Sequence, residues 1–339
     1  MRGLRIALAA LALVVFVQAS WRTDYHYEFE TVTGYFLQDE NSTNPSTFDY
    51  AAQNFGLLNR TYASDLLFDP LGFKTQWERF AAALFLMNLG AARHVSYKLF
   101  FLGRHGQGYH NVAESYYGTP AWNCYWGLRD GNGTSVWADA RITPNGTAQA
   151  KKAHDYWASL LSEQKIRAPQ RFYVSPLTRC LETANITFSG LKLGSSFEPE
   201  VKEFFREGVS PRTCDRRGSR SYIRESFPTF CIEEGFAEKD PLWTALKDEG
   251  DLNQQARTYT VMNEIWDENR YKRWISVTSH SGEIRTILKV LGHREFSLGT
   301  GQIIPVLVKG TRVEGKKTLP TEPYHDYGPV CDSPPPLPA

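Results

Sequence analysis

Short apolar runs alternating with stretches of helical periodicity constrain this chain most. Tyr97-Lys-Leu-Phe-Phe-Leu102 is rich in aromatics and meets Gly103, which reads as a buried strand entering a turn. Residues 171–174, 201–205, 274–278 and 303–308 read as further strands, with Pro305 marking the last as an edge. Residues 75–87 place Trp77, Phe80, Ala81, Leu84 and Phe85 at helical spacing, and Gly90 offers a stop. Thr143 as N-cap and Pro144 as first residue open a helix to about residue 161. Pro176 starts another, residues 240–270 look amphipathic and helical, and residues 282–291 follow the fourth strand. The alternation implies an α/β fold: a three-layer α/β/α sandwich around a mostly parallel central sheet. Residues 20–96 read as an N-terminal extension packing on the core, with residues 20 to about 70 an irregular arm wrapping its surface. Residues 97–320 read as the main α/β domain, and 321–339 as a Pro-rich tail, extended or disordered.

The N-terminus sets the expected compartment. Arg2 and Arg5 precede an apolar run from residue 6 to residue 17, and Val17-Gln18-Ala19 supplies small residues at peptidase spacing. Residues 1–19 therefore read as a secretory signal, and the run is short for a bilayer span. No later stretch is long and apolar enough to span, so no membrane partner is expected after cleavage. Sequons at Asn41, Asn59, Asn132, Asn145 and Asn185 are consistent with a secreted glycoprotein and place those positions on the surface; Pro45 blocks Asn44. Five cysteines leave at least one unpaired in an oxidising compartment. Cys214 and Cys231 bracket a polar, basic loop and are the favoured bridge. Cys180, in a helix expected to be buried, is the candidate free thiol, and Cys124–Cys331 is a guessed pairing. Lys plus Arg total 38 against 37 acidic residues, and no basic run stands out. That balance argues against nucleic acid as a partner.

The segment with the most chemistry is Leu102-Gly-Arg-His-Gly-Gln-Gly-Tyr-His-Asn111. Arg104 and His105 directly follow a buried strand, where α/β sheets bind ligands. Gly106 and Gly108 let a ligand approach the backbone. Arg-His-Gly after the first such strand resembles the histidine phosphatase superfamily. The longer form, Arg-His-Gly-Gln-Gly-Tyr-His-Asn, resembles its phosphoglycerate mutase-like branch, in particular secreted or uncharacterised fungal members. Further segments match in order: residues 139–150, Ser175-Pro-Leu-Thr-Arg179, Phe205-Arg-Glu207, Thr213-Cys-Asp-Arg-Arg217 and Thr278-Ser-His-Ser-Gly282. The resemblance runs from about residue 97 to residue 308.

What the resemblance implies is a phosphohistidine mechanism on a phosphorylated small molecule. Arginine holds phosphate through a planar fork that stays charged. Arg104 and Arg179 would supply two clamps, with Asn111 and Gln107 as further phosphate or substrate contacts. His105 would attack phosphorus, His280 would donate to the transferring oxygens, and Glu207 would protonate the leaving alkoxide. Glu203 and Glu225 compete for that last role, and His110 reads as structural or supporting. The scheme needs no metal or other cofactor. His154-Asp155 and His325-Asp326 read as incidental, since Ser281 rather than Asp follows His280. The cluster Arg206, Arg212, Arg216, Arg217, Arg220 and Arg224 could rim a pocket or form a solvated loop.

Three functions remain open on these residues. A secreted phosphomonoester hydrolase is favoured. A phosphoglycerate mutase-like phosphotransferase shares the same phosphohistidine, and export weighs against it. A non-catalytic phosphate-binding module would not need both arginines, both histidines and a candidate acid.

Overall fold

A computed structural model describes residues 24–338. In chain order its elements are β1 (Tyr25–Thr31), α1 (Asp65–Phe68), α2 (Gln76–Leu89), β2 (Val95–Arg104), α3 (Tyr109–Tyr117), α4 (Thr119–Cys124) and α5 (Pro144–Ser159). There follow β3 (Arg171–Val174), α6 (Thr178–Phe188), β4 (Glu200–Val201), α7 (Arg220–Ser226), β5 (Cys231–Ile232), β6 (Lys247–Asp248) and α8 (Gly250–Glu268). The last are β7 (Trp274–Ser279), α9 (Ser281–Val290), β8 (Ile303–Glu314) and β9 (His325–Asp326). The central sheet has seven strands in the order β1-β8-β2-β7-β3-β4-β5, and β8 runs against its neighbours in an otherwise parallel array.

Alternation along the buried strands builds the three layers. Phe101 meets Trp157 of α5 and Trp77 of α2 on one face, whereas Phe100 stacks on Trp266 of α8 on the other. Local signals place the helix ends. Thr75 accepts from the Glu78 amide in a reciprocal cap, and Gly90 follows α2. Thr143 accepts from the Gly146 amide ahead of Pro144.

Several expectations require correction. The N-terminal segment is not only a surface arm. β1 completes the sheet beside β8, and Phe36, Phe48, Tyr50 and Phe55 belong to the main core. Their irregular spacing conceals this, because they contribute from loops and a short 3-10 turn. The strand expected over residues 201–205 ends at Val201, and the chain tightens into a 3-10 turn over Glu203–Phe205. β8 is not an edge strand. β1 reaches only as far as Val308, so at Pro305 the sheet continues on the β2 side alone and the missing N–H is tolerated.

The cysteine pairing differs from expectation in one bridge. Cys124 bonds Cys331 and Cys180 is free, as expected, but Cys214 and Cys231 are free as well. Cys214 is buried and Cys231 lies exposed on β5, so the favoured bridge is absent. The tail is extended but pinned: β9 pairs with β6, the Cys331 amide donates to the Cys124 carbonyl at 2.8 Å, and the Tyr327 hydroxyl donates to the Asn123 carbonyl at 3.1 Å. The signal segment lies outside the described residues.

Trp77 is fully buried and touches Phe36, Phe55, Phe80, Phe101 and Trp274, joining the N-terminal segment to the sheet. Trp77→Ala should lower stability by about 3–5 kcal/mol in urea unfolding. A loss below about 1 kcal/mol would show that the N-terminal layer is not integral to the core.

Candidate active site

Two parallel strands deliver the central pair. β2 and β7 align Arg104 with Ser279, so the residues that follow, His105 and His280, emerge side by side. The His105 amide donates to the Ser279 carbonyl at 3.0 Å, and the two imidazole centroids are 5.1 Å apart. Neighbouring β3 adds Ser175, whose amide donates to the Thr278 carbonyl at 3.0 Å. Arg179 follows on the first turn of α6.

The tautomer of His105 follows from its partner. Nδ1 lies 2.8 Å from the Gly106 carbonyl, which can only accept, so Nδ1 carries the proton and Nε2 keeps its lone pair. Burial, then the charges of Arg179 and Arg104, hold this histidine well below the ordinary range. The ring is neutral near pH 7. The loop after it packs on the start of α5, where a Cβ on Gly106 would lie 2.5 Å from the Gly146 carbonyl.

His280 has the opposite tautomer. Arg179 Nε donates to its Nδ1 at 3.1 Å, so the proton is on Nε2, which donates to Ser175 Oγ at 2.7 Å. His280 is fully buried. The expected donor to the phosphoryl group therefore lies beside His105 but is engaged by Ser175 here. Arg179 also donates to the Cys214 carbonyl at 2.5 Å and to Asp215 at 3.3 Å. Those bonds use three of its five N–H groups. Arg104 lines the same cavity, and its Nε is buried with no acceptor among the described residues.

Glu207 sits over the first turn of α9. Its carboxylate accepts from the Gly282 amide at 3.0 Å, the Glu283 amide at 2.9 Å and the Gly208 amide at 3.0 Å. Gly282 makes room, since a Cβ there would lie 2.3 Å from Oε1. Arg257 of α8 fixes the segment before it, donating to the carbonyls of Phe204, Arg206 and Glu207 at 2.7–3.0 Å. The competing glutamates are placed elsewhere. Glu203 pairs with Arg206 and Arg217, and Glu225 lies exposed on α7.

Arg104, His105, Asn111, Arg179 and Glu207 line one polar cavity of about 450 Å³ at the carboxyl ends of the parallel strands. Asn111 accepts from the Gly108 amide through Oδ1 at 2.9 Å. Gln107 is not brought there: its side chain accepts from Thr143 Oγ1 at 2.9 Å and holds the start of α5. Of the six loop arginines, Arg212 reaches the cavity. Arg206 is buried between Asp240 and Glu203, and Arg217 pairs with Glu203. Glu203 lies only three residues before Arg206, but Asp240 lies too far along the chain for spacing to reveal it.

His110 reads from the sequence as structural or supporting, yet its ring centroid lies 5.4 Å from that of His105. It lines the cavity, and its Nδ1 is buried with no partner among the described residues. Its position beside Asn111 was the available signal. Arg285, one turn into α9, also lines the cavity.

A neutral histidine with a free ring nitrogen, two arginines and a carboxylate facing one polar cavity make a site suited to phosphoryl groups. Residues 126–302 match the histidine phosphatase superfamily (branch 1), and the match begins beyond Arg104 and His105. A probable phosphoglycerate mutase of Arthroderma benhamiae is 46% identical over 300 residues, covering 88% of each chain. Phosphomutase-like protein 3 of Candida albicans is 39% identical over 62% of this chain and 65% of its own. A putative alpha-ribazole-5'-P phosphatase structure from Escherichia coli aligns with 66% of this chain and 99% of its own, at 18% identity and a TM-score of 0.40. The chain belongs to the histidine phosphatase superfamily, and its relatives are phosphoglycerate mutase-like.

Gly282→Ala should push the Glu207 carboxylate off the start of α9. We expect turnover of phosphorylated substrates to fall at least about tenfold with the circular dichroism spectrum retained. Unchanged turnover would remove Glu207 from the working site.

Proposed function

We propose that this protein is an exported phosphatase that hydrolyses phosphomonoesters through a phosphohistidine on His105. The observation that carries the reading is the His105 ring, held neutral with Nε2 unprotonated beside Arg104 and Arg179. In the first step Nε2 bonds to phosphorus, the P–O bond to the organic group breaks, and protonated Glu207 gives its proton to the departing oxygen. In the second step water attacks phosphorus as the P–N bond breaks. Glu207 takes the water's proton and inorganic phosphate leaves. Arg104 and Arg179 hold the phosphoryl oxygens through both steps, Asn111 contacts the substrate, and His280 donates once its bond to Ser175 is exchanged.

Export is supported by the signal-like residues 1–19 and by the bridge between Cys124 and Cys331, a bond suited to an oxidising compartment. Asn41, Asn59, Asn132 and Asn145 are exposed and Asn185 is half-buried, so we assign N-glycans to these sequons. A mutase is the second reading, favoured by the names of the relatives. Hydrolysis is preferred because glycolytic phosphoglycerates are intracellular.

The test is phosphate release from an aryl phosphate by the secreted protein and by His105→Ala, with and without chelator. Chelator-resistant release that His105→Ala abolishes, with a ³²P-labelled enzyme intermediate trapped in acid-labile form, is expected. Interconversion of phosphoglycerates without net phosphate release would establish the mutase instead.

The pH profile follows from His105. A lowered value keeps the nucleophile neutral as pH falls through about 6.5, where an ordinary histidine would protonate. We expect kcat/KM to be sustained from pH 7 down to about 5.5. A loss centred near pH 6.5 would contradict the neutral His105.

A further inference from the structure

We propose that the face around α1 and the α1–α2 loop docks on an anionic bilayer surface. Leu66 is 88% exposed, Leu67 70%, Leu71 75% and Phe73 85%. Scattered exposed leucines are ordinary, but four bulky apolar residues within eight positions form a local patch. Phe68 continues it onto α2, where its ring lies 6.4 Å from that of Phe85, and Leu89 follows one turn later.

The surroundings are cationic. Lys165 and Arg167, both exposed, share a cleft with Phe68 and Phe85, and Lys74 lines it too. The Arg273 guanidinium lies 5.9 Å from the centre of the Phe85 ring. The cleft itself sets three cations, Lys74, Lys165 and Arg167, against one carboxylate, Glu78, which caps α2 and pairs with Lys74 at 3.9 Å. Bulky apolar side chains framed by lysine and arginine are the pattern of interfacial membrane binding, in which apolar burial adds to attraction for anionic lipid. A second copy fits less well, because a two-fold contact would set Lys74, Lys165 and Arg167 against a like-charged patch.

The position suits a docked enzyme. Arg167 precedes β3 and Arg273 precedes β7, so the patch lies at the amino ends of the parallel strands. The candidate active cavity lies at their carboxyl ends and would face away from the bilayer.

The test is co-sedimentation of the secreted protein with vesicles of phosphatidylcholine alone or mixed with phosphatidylglycerol. Two variants accompany it: Leu67→Ser/Leu71→Ser/Phe73→Ser and Lys165→Glu/Arg167→Glu. Unchanged aryl phosphate turnover, with wild-type unfolding midpoints, shows that both variants are folded. Should turnover be absent in all three proteins, the unfolding midpoints alone serve, so failure of the phosphatase reading and of this one stay separate. We expect binding to the mixed vesicles that weakens at least about tenfold in each variant and falls with salt. No wild-type binding would overturn the proposal. Binding undiminished in both variants would overturn it as well, placing the contact elsewhere, for instance on a retained apolar N-terminus. A concentration-dependent dimer that the triple serine variant dissolves, with vesicles unbound, would assign the patch to a second copy.

Discussion

The parallel register of β2 against β7 is the constraint on which the site depends. Because Arg104 lies opposite Ser279, the two strands end level and release two histidines at one height. A slip by one residue would send every side chain of β2 to the other face, exchanging the layers met by Phe100 and Phe101. Burial of those aromatics against Trp266 and Trp157 therefore fixes the chemistry as well as the fold.

Around that pair the protein buries charge on a scale that only mutual pairing sustains. Arg179 meets Asp215, Arg206 meets Asp240 and Glu203, and Arg257 meets Glu249 and Glu283. Buried ion pairs add little net stability, yet removal of one partner is costly. Their benefit here is positional. Arg179 sets the tautomer of His280, and Arg257 grips the backbone that carries Glu207. Within the basic loop, Arg206 and Arg217 serve as internal scaffolding, Arg212 faces the cavity, and Arg220 and Arg224 are exposed.

Segments outside the α/β core hold its edges. The N-terminal aromatics fill one layer beside α2, and the tail is tied to α4 by Cys124–Cys331 and to β6 by β9. β6 leads through Asp248 into the cavity wall, and α4 contributes Trp122 to that wall. The tail thus braces two sides of the pocket without lining it.

The sequence by itself determined the buried strands, the capped helices and the order of the site motifs, because these are written in local patterns. Aromatic runs, Thr143-Pro144 and Arg104-His105-Gly106 carry their meaning within a few residues. Only the tertiary structure decided what depends on partners distant in the chain. Pro305 made β8 look like an edge strand until β1 was seen to pair with it beyond the proline, from Val308 onward. Cys214 looked paired with Cys231 until the fold carried one to the cavity and the other to the sheet margin. Gln107 looked like a ligand until Thr143 took its side chain, and His110 looked structural until α3 turned it toward His105. The contacts that place Pro305 and Gln107 join residues far apart along the chain, whose separation carries no periodic signal.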